Sequence, residues 1–365
     1  MENTSAVLVQ FRDESFFEDY FYPSLGMKFY LWGYLSLFII GYTGNSASLI
    51  TFTRPVLRAS STGTLFIALA ISDVCFLSAL IFDFIKYGLR FQLDKRIDFN
   101  FMCRWREFLM NASQFCSAWI LVIIAMDRWI RTRFPYKSAA ICTQKKALIA
   151  IAIVCSITIG LHVMFLTPLF GSSGSAIPYF DCIPMLRVLD DFIDFYYLKW
   201  PILQSLISCL APAGLILVFI VDMFIKIRLQ KKTIHHQVHN QNRNQTIRHN
   251  YRVQNQLFLL MLSNVIIFFT TTVQIGVYRI LYVYLVYGSV DLNIPFITSM
   301  TVILTWFLGI NYSINFYVHC LTSTLFRSEF KKCFIFLCIL CQRRGVRVNI
   351  VPTVNTARTN KNLQR

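Results

Sequence analysis

Apolar residues form seven long runs along this chain, separated by shorter polar stretches. The runs lie near residues 27–52, 63–85, 102–126, 147–170, 200–225, 256–285 and 294–319. Because a helix rises about 1.5 Å per residue, each run is long enough to cross the roughly 30 Å hydrocarbon core of a bilayer. The pattern therefore predicts an all-α membrane protein built as a seven-helix transmembrane bundle.

The third run has opposite chemistry at its two ends. It begins at Cys103 and ends in Asp127-Arg128-Trp129, with further cations just after. From Cys103 to Arg128 a helix would extend about 38 Å, enough to cross a bilayer with some tilt. We therefore expect the cysteine at one membrane face and the acid–arginine pair at the other.

The charge distribution predicts an orientation. The net charge is +17, which would also suit nucleic acid, but only 15% of residues are charged and the mean hydropathy is +0.53. With the amino terminus outside, 24 of the 35 Lys and Arg residues lie on the inner side. This asymmetry follows the positive-inside rule. We therefore expect membrane lipid, and no nucleic acid, as the partner of the basic loops.

One acid lies in the middle of a span. Asp73 is about ten residues from either end of the second run. An ionisable group at that depth is costly and marks a functional site by default. The alternative is a purely structural carboxylate. The amide of Asn45 in the first run also needs a partner in hydrocarbon.

These landmarks together resemble the rhodopsin-like (class A) G-protein-coupled receptors. In that family, a cysteine precedes the arginine of a D-R-Y triplet by the same spacing as Cys103 precedes Arg128, and a proline follows where Pro135 stands. The other matching positions are Gly44-Asn45, Leu69-x-x-x-Asp73 and Asn315. The resemblance implies that the bundle carries a signal from one side of the membrane to the other.

The resemblance assigns a role to each end of the third span. It implies a disulfide between Cys103 and Cys182 at the outer mouth. It also makes Asp127, Arg128 and Trp129 the G-protein coupling site. Arg128 is expected to pair with Asp127 in the quiet receptor and to meet the G protein once that pair breaks.

The resemblance also gathers polar residues around the acid of the second span. It implies that Asn45, Asp73, Ser117, Asn311 and Asn315 converge in one buried pocket. One carboxylate with neutral oxygens suits a hard cation. An allosteric sodium ion is therefore the one cofactor and the one metal that we expect. A water-filled hydrogen-bond network without an ion is the alternative.

Residues near the outer mouth bear on the ligand. The acid that amine receptors use would fall at Met110, which argues against an amine. The ligand candidates are Asp83, Glu107, Met110, Gln114 and Arg279. Together with acidic outer loops, they favour a peptide, and in particular a basic one. Small lipids or odorants are the alternative.

The resemblance divides the chain into four parts. Residues 1–26 form an acidic extracellular tail with a candidate glycosylation site at Asn3, and residues 27–321 form the bundle. Residues 322–341 form a short amphipathic eighth helix, and 342–365 a disordered cytoplasmic tail. The candidate palmitoylation sites are Cys338 and Cys341. The expected location is the plasma membrane, with several crossings.

Two departures from the family leave the activation mechanism open. Thr272 and Gln274 replace a tryptophan and a proline of the sixth span, and Phe316 replaces a proline, as in some invertebrate peptide-receptor-like members. We expect a peptide receptor that signals to a heterotrimeric G protein. The alternatives are a receptor for a non-amine small molecule and one that no longer signals. The chain shows no nucleophile motif or phosphate loop of an enzyme, and no internal repeat of a transporter or channel.

Overall fold

Seven long apolar helices dominate the protein. The computed structural model describes residues 24–91, 99–171, 183–184, 192, 194–236, 258–288 and 294–343. In that part of the chain, the helices able to cross a membrane are Leu25–Phe52, Ser61–Gly88, Asn100–Arg133, Gln144–Leu166, Phe195–Leu229, Phe258–Tyr284 and Phe296–Ser313. Each coincides with one predicted run, so the all-α seven-helix bundle is confirmed. We number these spans one to seven in chain order.

Most spans are not uniform α-helices. The α-helical segments are residues 258–268 and Ser24–Lys28, Tyr34–Phe52, Pro55–Arg58, Ser61–Asp83, Phe99–Arg133, Pro135–Ile141, Gln144–His162, Trp200–Ser205, Ala211–His236, Gln274–Gly288, Ile294–Ser313, Asn315–Thr322 and Thr324–Arg343. Five-residue π-helical turns occupy Phe29–Gly33, Phe84–Gly88, Phe195–Lys199, Leu206–Leu210 and Phe269–Val273, and a 3₁₀ turn occupies Val163–Leu166. Several spans therefore change their winding on the way across the bundle.

A short hairpin lies against the Cys103 end of the third span. Its two-residue strands, β1 (Phe170–Gly171) and β2 (Ile183–Pro184), pair antiparallel. The guanidinium Nε of Arg104 donates a hydrogen bond to the carbonyl oxygen of Phe170 at 2.8 Å. This contact ties the hairpin to the third span one residue after Cys103.

Three helix boundaries differ from the predicted ones. The fifth helix continues to His236, although the apolar run ends near residue 225. The seventh run divides at Ile314 into Ile294–Ser313 and Asn315–Thr322. The eighth helix, Thr324–Arg343, begins two residues later than predicted. Hydropathy marks where a helix leaves the bilayer, and a helix can extend beyond that point.

The start of the second span is set by a serine and a glycine. The Ser60 hydroxyl caps the helix by accepting a hydrogen bond from the Gly63 amide at 3.0 Å. A Cβ atom on Gly63 would lie 2.1 Å from the carbonyl oxygen of Leu57, so only glycine fits there. The tight turn leaves Ser61 and Thr62 facing the third span.

The second and third spans form the centre of the bundle, and the fourth lies at its edge. In their apolar stretches, 61% of the residues of the second and third spans are buried, against 22% for the fourth. Leu65 and Ile124 belong to the buried cluster near the Arg128 end, and Phe76 and Tyr312 to the cluster near the Cys103 end. Residues that face the second or third span are therefore shielded from lipid.

Candidate functional site

A cavity opens between the spans at the Cys103 end. Its volume is about 440 Å³, and aromatic side chains from the first, fifth and sixth spans form much of its wall, including Tyr30, Tyr196, Trp200 and Tyr278. An adjoining cavity of about 210 Å³ shares Tyr30 and Tyr278 with it. The size, and an apolar wall with few polar groups, are typical of small-ligand and peptide-end sites.

The predicted ligand residues divide among these two cavities. Glu107 and Arg279 line both of them, and Asp83 and Met110 line the smaller one. Gln114 lines neither, but it is buried and contacts Arg279. The structure therefore brings the five candidates into one region.

Arg106 donates hydrogen bonds to both acids of this region, a role that the sequence analysis missed. Its Nε and Nη2 atoms donate to the two carboxylate oxygens of Asp83 at 3.1 and 2.7 Å. Its Nη1 atom donates to Glu107, whose other oxygen accepts from Asn111 at 3.4 Å. A signal did exist: Asp83 lies near the end of the second span and Arg106 near the start of the third, so the two lie at a similar depth.

Arg279 is held by neutral amides. Its Nη1 atom donates to the side-chain oxygen of Gln114 at 3.1 Å, and the same oxygen lies 3.5 Å from the amide nitrogen of Gln204. Gln114 and Gln204 are each 1% exposed. This small network joins the third, fifth and sixth spans directly beneath the larger cavity.

The pocket around Asp73 forms in part as predicted. Asp73 is fully buried and accepts hydrogen bonds from the Ser117 hydroxyl at 2.8 Å and the Asn315 amide at 2.6 Å. Asn311 is also buried, but among the described residues no hydrogen bond joins it to Asp73. The expected contact of Asn45 is wrong, because its amide donates to the backbone oxygen of Tyr312 at 2.9 Å. Asn45 therefore anchors the seventh span through its backbone.

The expected pair between Asp127 and Arg128 is replaced by another. Asp127 accepts hydrogen bonds from Arg131 Nε at 3.0 Å, from Ser61 at 2.7 Å and from Thr62 at 2.9 Å. Arg131 lies four residues after Asp127, and residues four apart share a helix face. The network joins the start of the second span to the end of the third.

Arg128 instead faces a cavity at its own end of the bundle. This cavity has a volume of about 270 Å³ and is also lined by His319, Leu260 and Phe326. The Nε atom of Arg128 is buried and makes no hydrogen bond within the described part of the chain. A cation in this state is available to a carboxylate or a carbonyl from outside the bundle.

Trp129 joins the third span to the fifth. Its indole Nε1 donates to the Asp222 carboxylate at 2.7 Å, and its ring lies 5.5 Å from that of Phe219. The tyrosine usual in the triplet has no N–H donor. The family resemblance assigned a coupling role to this residue but did not identify its partner, which lies 93 positions away.

One backbone carbonyl oxygen of the fifth span has no hydrogen-bond donor in its own helix and accepts a hydrogen bond from the third span. In the π-helical turn Leu206–Leu210, the carbonyl of Ile207 faces the nitrogen of Pro212, which has no hydrogen to donate. The indole of Trp119 donates to that carbonyl at 3.1 Å. The Cys209 thiol in the same turn donates to the carbonyl oxygen of Thr272 at 3.2 Å, so the fifth span also binds the π-helical turn of the sixth.

Several predicted sites cannot be placed. Cys103 is disulfide-bonded, and Cys182, the predicted partner, lies outside the described residues. Asn3 and the tail 1–23 also lie outside them, as does the end of the chain from residue 344. Cys338 and Cys341 fall in the last helix, but their side chains are outside the described part. These assignments remain predictions.

Residues 44–315 match the family described as 7 transmembrane receptor (rhodopsin family). This match covers most of the chain and extends from within the first span to the end of the seventh. The chain belongs to that family. Membership of a family of signalling receptors also agrees with the expectation that the protein is not an enzyme.

Individual relatives align with only about a third of this chain. A galanin-like G-protein coupled receptor, npr-9 of Caenorhabditis elegans, is 28% identical over 128 residues, which are 35% of this chain and 28% of that protein. The FMRFamide peptide receptor frpr-18 of the same organism is 29% identical over 123 residues, 33% of this chain and 28% of that protein. Cysteinyl leukotriene receptor 2 of Sus scrofa is 28% identical over 127 residues, 35% and 36% of the two chains. The chain thus matches less than two thirds of the length of these relatives.

Proposed function

We propose that this receptor binds a peptide in the cavity at its Cys103 end and activates a heterotrimeric G protein at its Arg128 end. The observation that carries the proposal is the pair of separate cavities at opposite ends of one bundle. Glu107 and Arg279 line the first, and Arg128 lines the second. Seven spans connect the two cavities.

The orientation follows from charge. Most Lys and Arg residues lie on the side of Arg128, which the positive-inside rule assigns to the cytosol. The Cys103 end and the amino terminus are then extracellular, and the receptor resides in the plasma membrane. An oxidising exterior agrees with the disulfide bond of Cys103.

A ligand acts on such a bundle by binding one of its conformations more tightly than the other. The Arg279–Gln114–Gln204 network is well placed for this action because it joins three spans beneath the cavity. Below it, Cys209 and Thr272 connect the fifth and sixth spans. A ligand that pulls on Arg279 therefore changes how these spans pack.

The peptide assignment is tested by function in cells. Cells that express the receptor with a promiscuous G protein are exposed to a neuropeptide library, and calcium release is recorded. We expect at least one peptide to activate the wild type and not Arg128→Ala expressed at the same surface level. A receptor that reaches the surface and responds to no peptide contradicts the proposal and favours the non-signalling alternative.

A second candidate is a small lipid-like acid. It is favoured by the likeness to a receptor named for cysteinyl leukotrienes and by the compact aromatic cavity. The same cells are exposed to a panel of fatty-acid-derived mediators. Activation by a member of this panel, with no response to peptides, assigns the cavity to this class instead.

We also propose that a sodium ion binds at Asp73 in the quiet receptor. No Lys, Arg or His within the described segments forms an ion pair with this fully buried carboxylate, and an uncompensated charge there is costly. Ser117 and the amide groups nearby offer neutral oxygens for a hard cation. We expect purified receptor to melt at a higher temperature in sodium chloride than in potassium chloride, and Asp73→Asn to remove the difference. Equal melting of the wild type in both salts favours the water-filled network.

A further inference from the structure

We propose that the ligand places an anionic group, most simply a carboxylate, against Arg279. This inference rests on the proposed role of the cavity as the ligand site and adds the chemistry of one contact. It reverses the expectation of a basic peptide, which relied on the acids near the mouth. The reversal follows from how the charges of this region are paired.

The two acids are already paired with a cation of the protein itself. One guanidinium, that of Arg106, donates to both oxygens of Asp83 and to one oxygen of Glu107. The remaining oxygen of Glu107 accepts from Asn111. Asp83 is 2% exposed and Glu107 is 8% exposed, so a cationic ligand would have to displace Arg106 to reach either carboxylate. Recognition of a basic group here would be costly.

Arg279 is in the opposite state. A guanidinium has five N–H donors in a planar fork, and Arg279 uses one of them, on the neutral Gln114 oxygen. Among the residues that the structure describes, no Asp or Glu lies within ion-pair distance of it. Arg279 nevertheless lines both cavities. A cation with free donors at a cavity wall is a site for an acceptor that brings a negative charge.

The surroundings of Arg279 favour a carboxylate next to an aromatic or other apolar group. Tyr196, Tyr278 and Tyr282 line the cavity with it, and Trp200 lies on the fifth-span wall. Aromatic walls lower the local dielectric, which strengthens a charged hydrogen bond. The carboxylate can come from the carboxyl terminus of a peptide or from an Asp or Glu side chain, and the experiment separates these sources.

The test measures binding without any G protein. Purified receptor in lipid nanodiscs is titrated with N-acetyl-phenylalanine, with its uncharged amide, and with N-acetyl-aspartyl-phenylalaninamide, and Kd is obtained by ligand-observed NMR. We expect an acid to bind about tenfold or more tightly than the amide, in keeping with a charge-assisted hydrogen bond. The first acid represents a carboxyl terminus, and the second an acidic side chain.

Two variants connect the preference to one residue. Arg279→Gln should remove the difference between acid and amide, whereas Arg279→Lys should retain most of it. The matched control is Lys199→Gln, which removes a cation from an exposed position of the fifth span and should leave the preference unchanged. Melting curves without probe show whether each variant folds, and Arg279→Lys keeps the test valid if Arg279→Gln does not.

Three results would overturn the inference. They are equal binding of acids and amide to the wild type, including binding of neither; a preference that survives in Arg279→Gln; and a preference that is lost in Lys199→Gln. None of these depends on signalling. A receptor that prefers acids through Arg279 but activates no G protein would overturn the proposed function alone.

Discussion

The two ends of the bundle use arginine in opposite ways. At the Cys103 end, one cation, Arg106, is shared by two acids that come from neighbouring spans. At the Arg128 end, one acid, Asp127, is shared by a cation of its own helix and by two hydroxyls of the second span. Each end then has a second arginine that faces a cavity and lacks a carboxylate partner among the described residues.

This comparison shows that the arginine with a structural role and the arginine available to a partner are different residues at each end. Arg106 and Arg131 bind carboxylates, whereas Arg279 and Arg128 line cavities without a carboxylate partner among the described residues. The family triplet suggests that a single arginine both pairs with the acid and contacts the partner. In this chain, activation does not have to begin by breaking a strong pair, because Arg128 is not in one.

The largest effect is expected when the cavity-facing arginine of the inner end is removed. Arg128→Ala should abolish G-protein activation by an agonist while leaving surface expression and agonist binding intact, because its guanidinium holds no structural pair. Calcium release and radioligand binding measure the two properties. Arg133→Ala, at an exposed position of the same helix end, is the control and should signal normally. Signalling by Arg128→Ala at the wild-type level would refute the role of Arg128.

The structural arginine of the outer end should control stability instead. Arg106→Gln removes the guanidinium that pairs with the buried Asp83 and Glu107, and breaking such a pair costs about 3 kcal/mol. We expect a clearly lower melting temperature of the purified receptor. Lys199→Gln removes an exposed cation from the same end and should melt as the wild type does. An unchanged melting temperature of Arg106→Gln would show that the cluster contributes no stability.

Trp129 tests whether the third and fifth spans are held together at the inner end. Trp129→Phe keeps an aromatic ring against Phe219 but loses the donor to Asp222, at a cost of about 1.5–3 kcal/mol for a hydrogen bond to a charged group. We expect higher basal G-protein activity, since one contact of the quiet arrangement is lost. Asp222→Asn in the Trp129→Phe background should raise the basal G-protein activity little further. Additive effects of the two changes would mean that they do not act through this bond.

The smallest effect is expected from pH at the eighth helix. The hydrogen bond from Lys332 at 2.6 Å, with Arg54 at 3.7 Å, lowers the pKa of Glu329. A lowered pKa in the folded state means that the contribution to stability is present above the unfolded value of roughly 4.3 and is lost as the pH falls through the folded-state pKa. Glu329→Gln should therefore melt slightly below the wild type at pH 7, and the difference should shrink as the pH falls below that unfolded value. A constant difference between the two proteins across this range would contradict the assignment.

The fold was predictable because hydropathy reports directly on the solvent of each segment. All seven spans followed from run length, whereas the orientation remains a prediction from the placement of Lys and Arg. The extension of the fifth helix to His236 was not predictable in this way, because its last turns are polar and lie beyond the apolar run. The division of the seventh helix at Ile314 was also missed, since no proline marks it.

The site was predictable as a set of residues and less so as a set of contacts. Asp73 with Ser117 and Asn315 followed from family spacing, and so did the general place of Glu107 and Arg279. The pairing of each charge depends on which side chains share a depth and a face. Arg131 satisfies Asp127 by helical periodicity, which could have been read from the sequence, whereas the bond between Trp129 and Asp222 depends on how two distant spans pack.

The π-helical turns of the fifth and sixth spans have a mechanical consequence. Each holds one residue more than an α-helical turn does, at Leu206–Leu210 and Phe269–Val273. If such a turn relaxes to α-helical winding, every residue beyond it rotates by about 100° around the helix axis and shifts along it by about 1.5 Å. Such a change rotates and shifts the half of a span at the Arg128 end relative to the other half. It does not need a proline hinge, which the sixth span lacks.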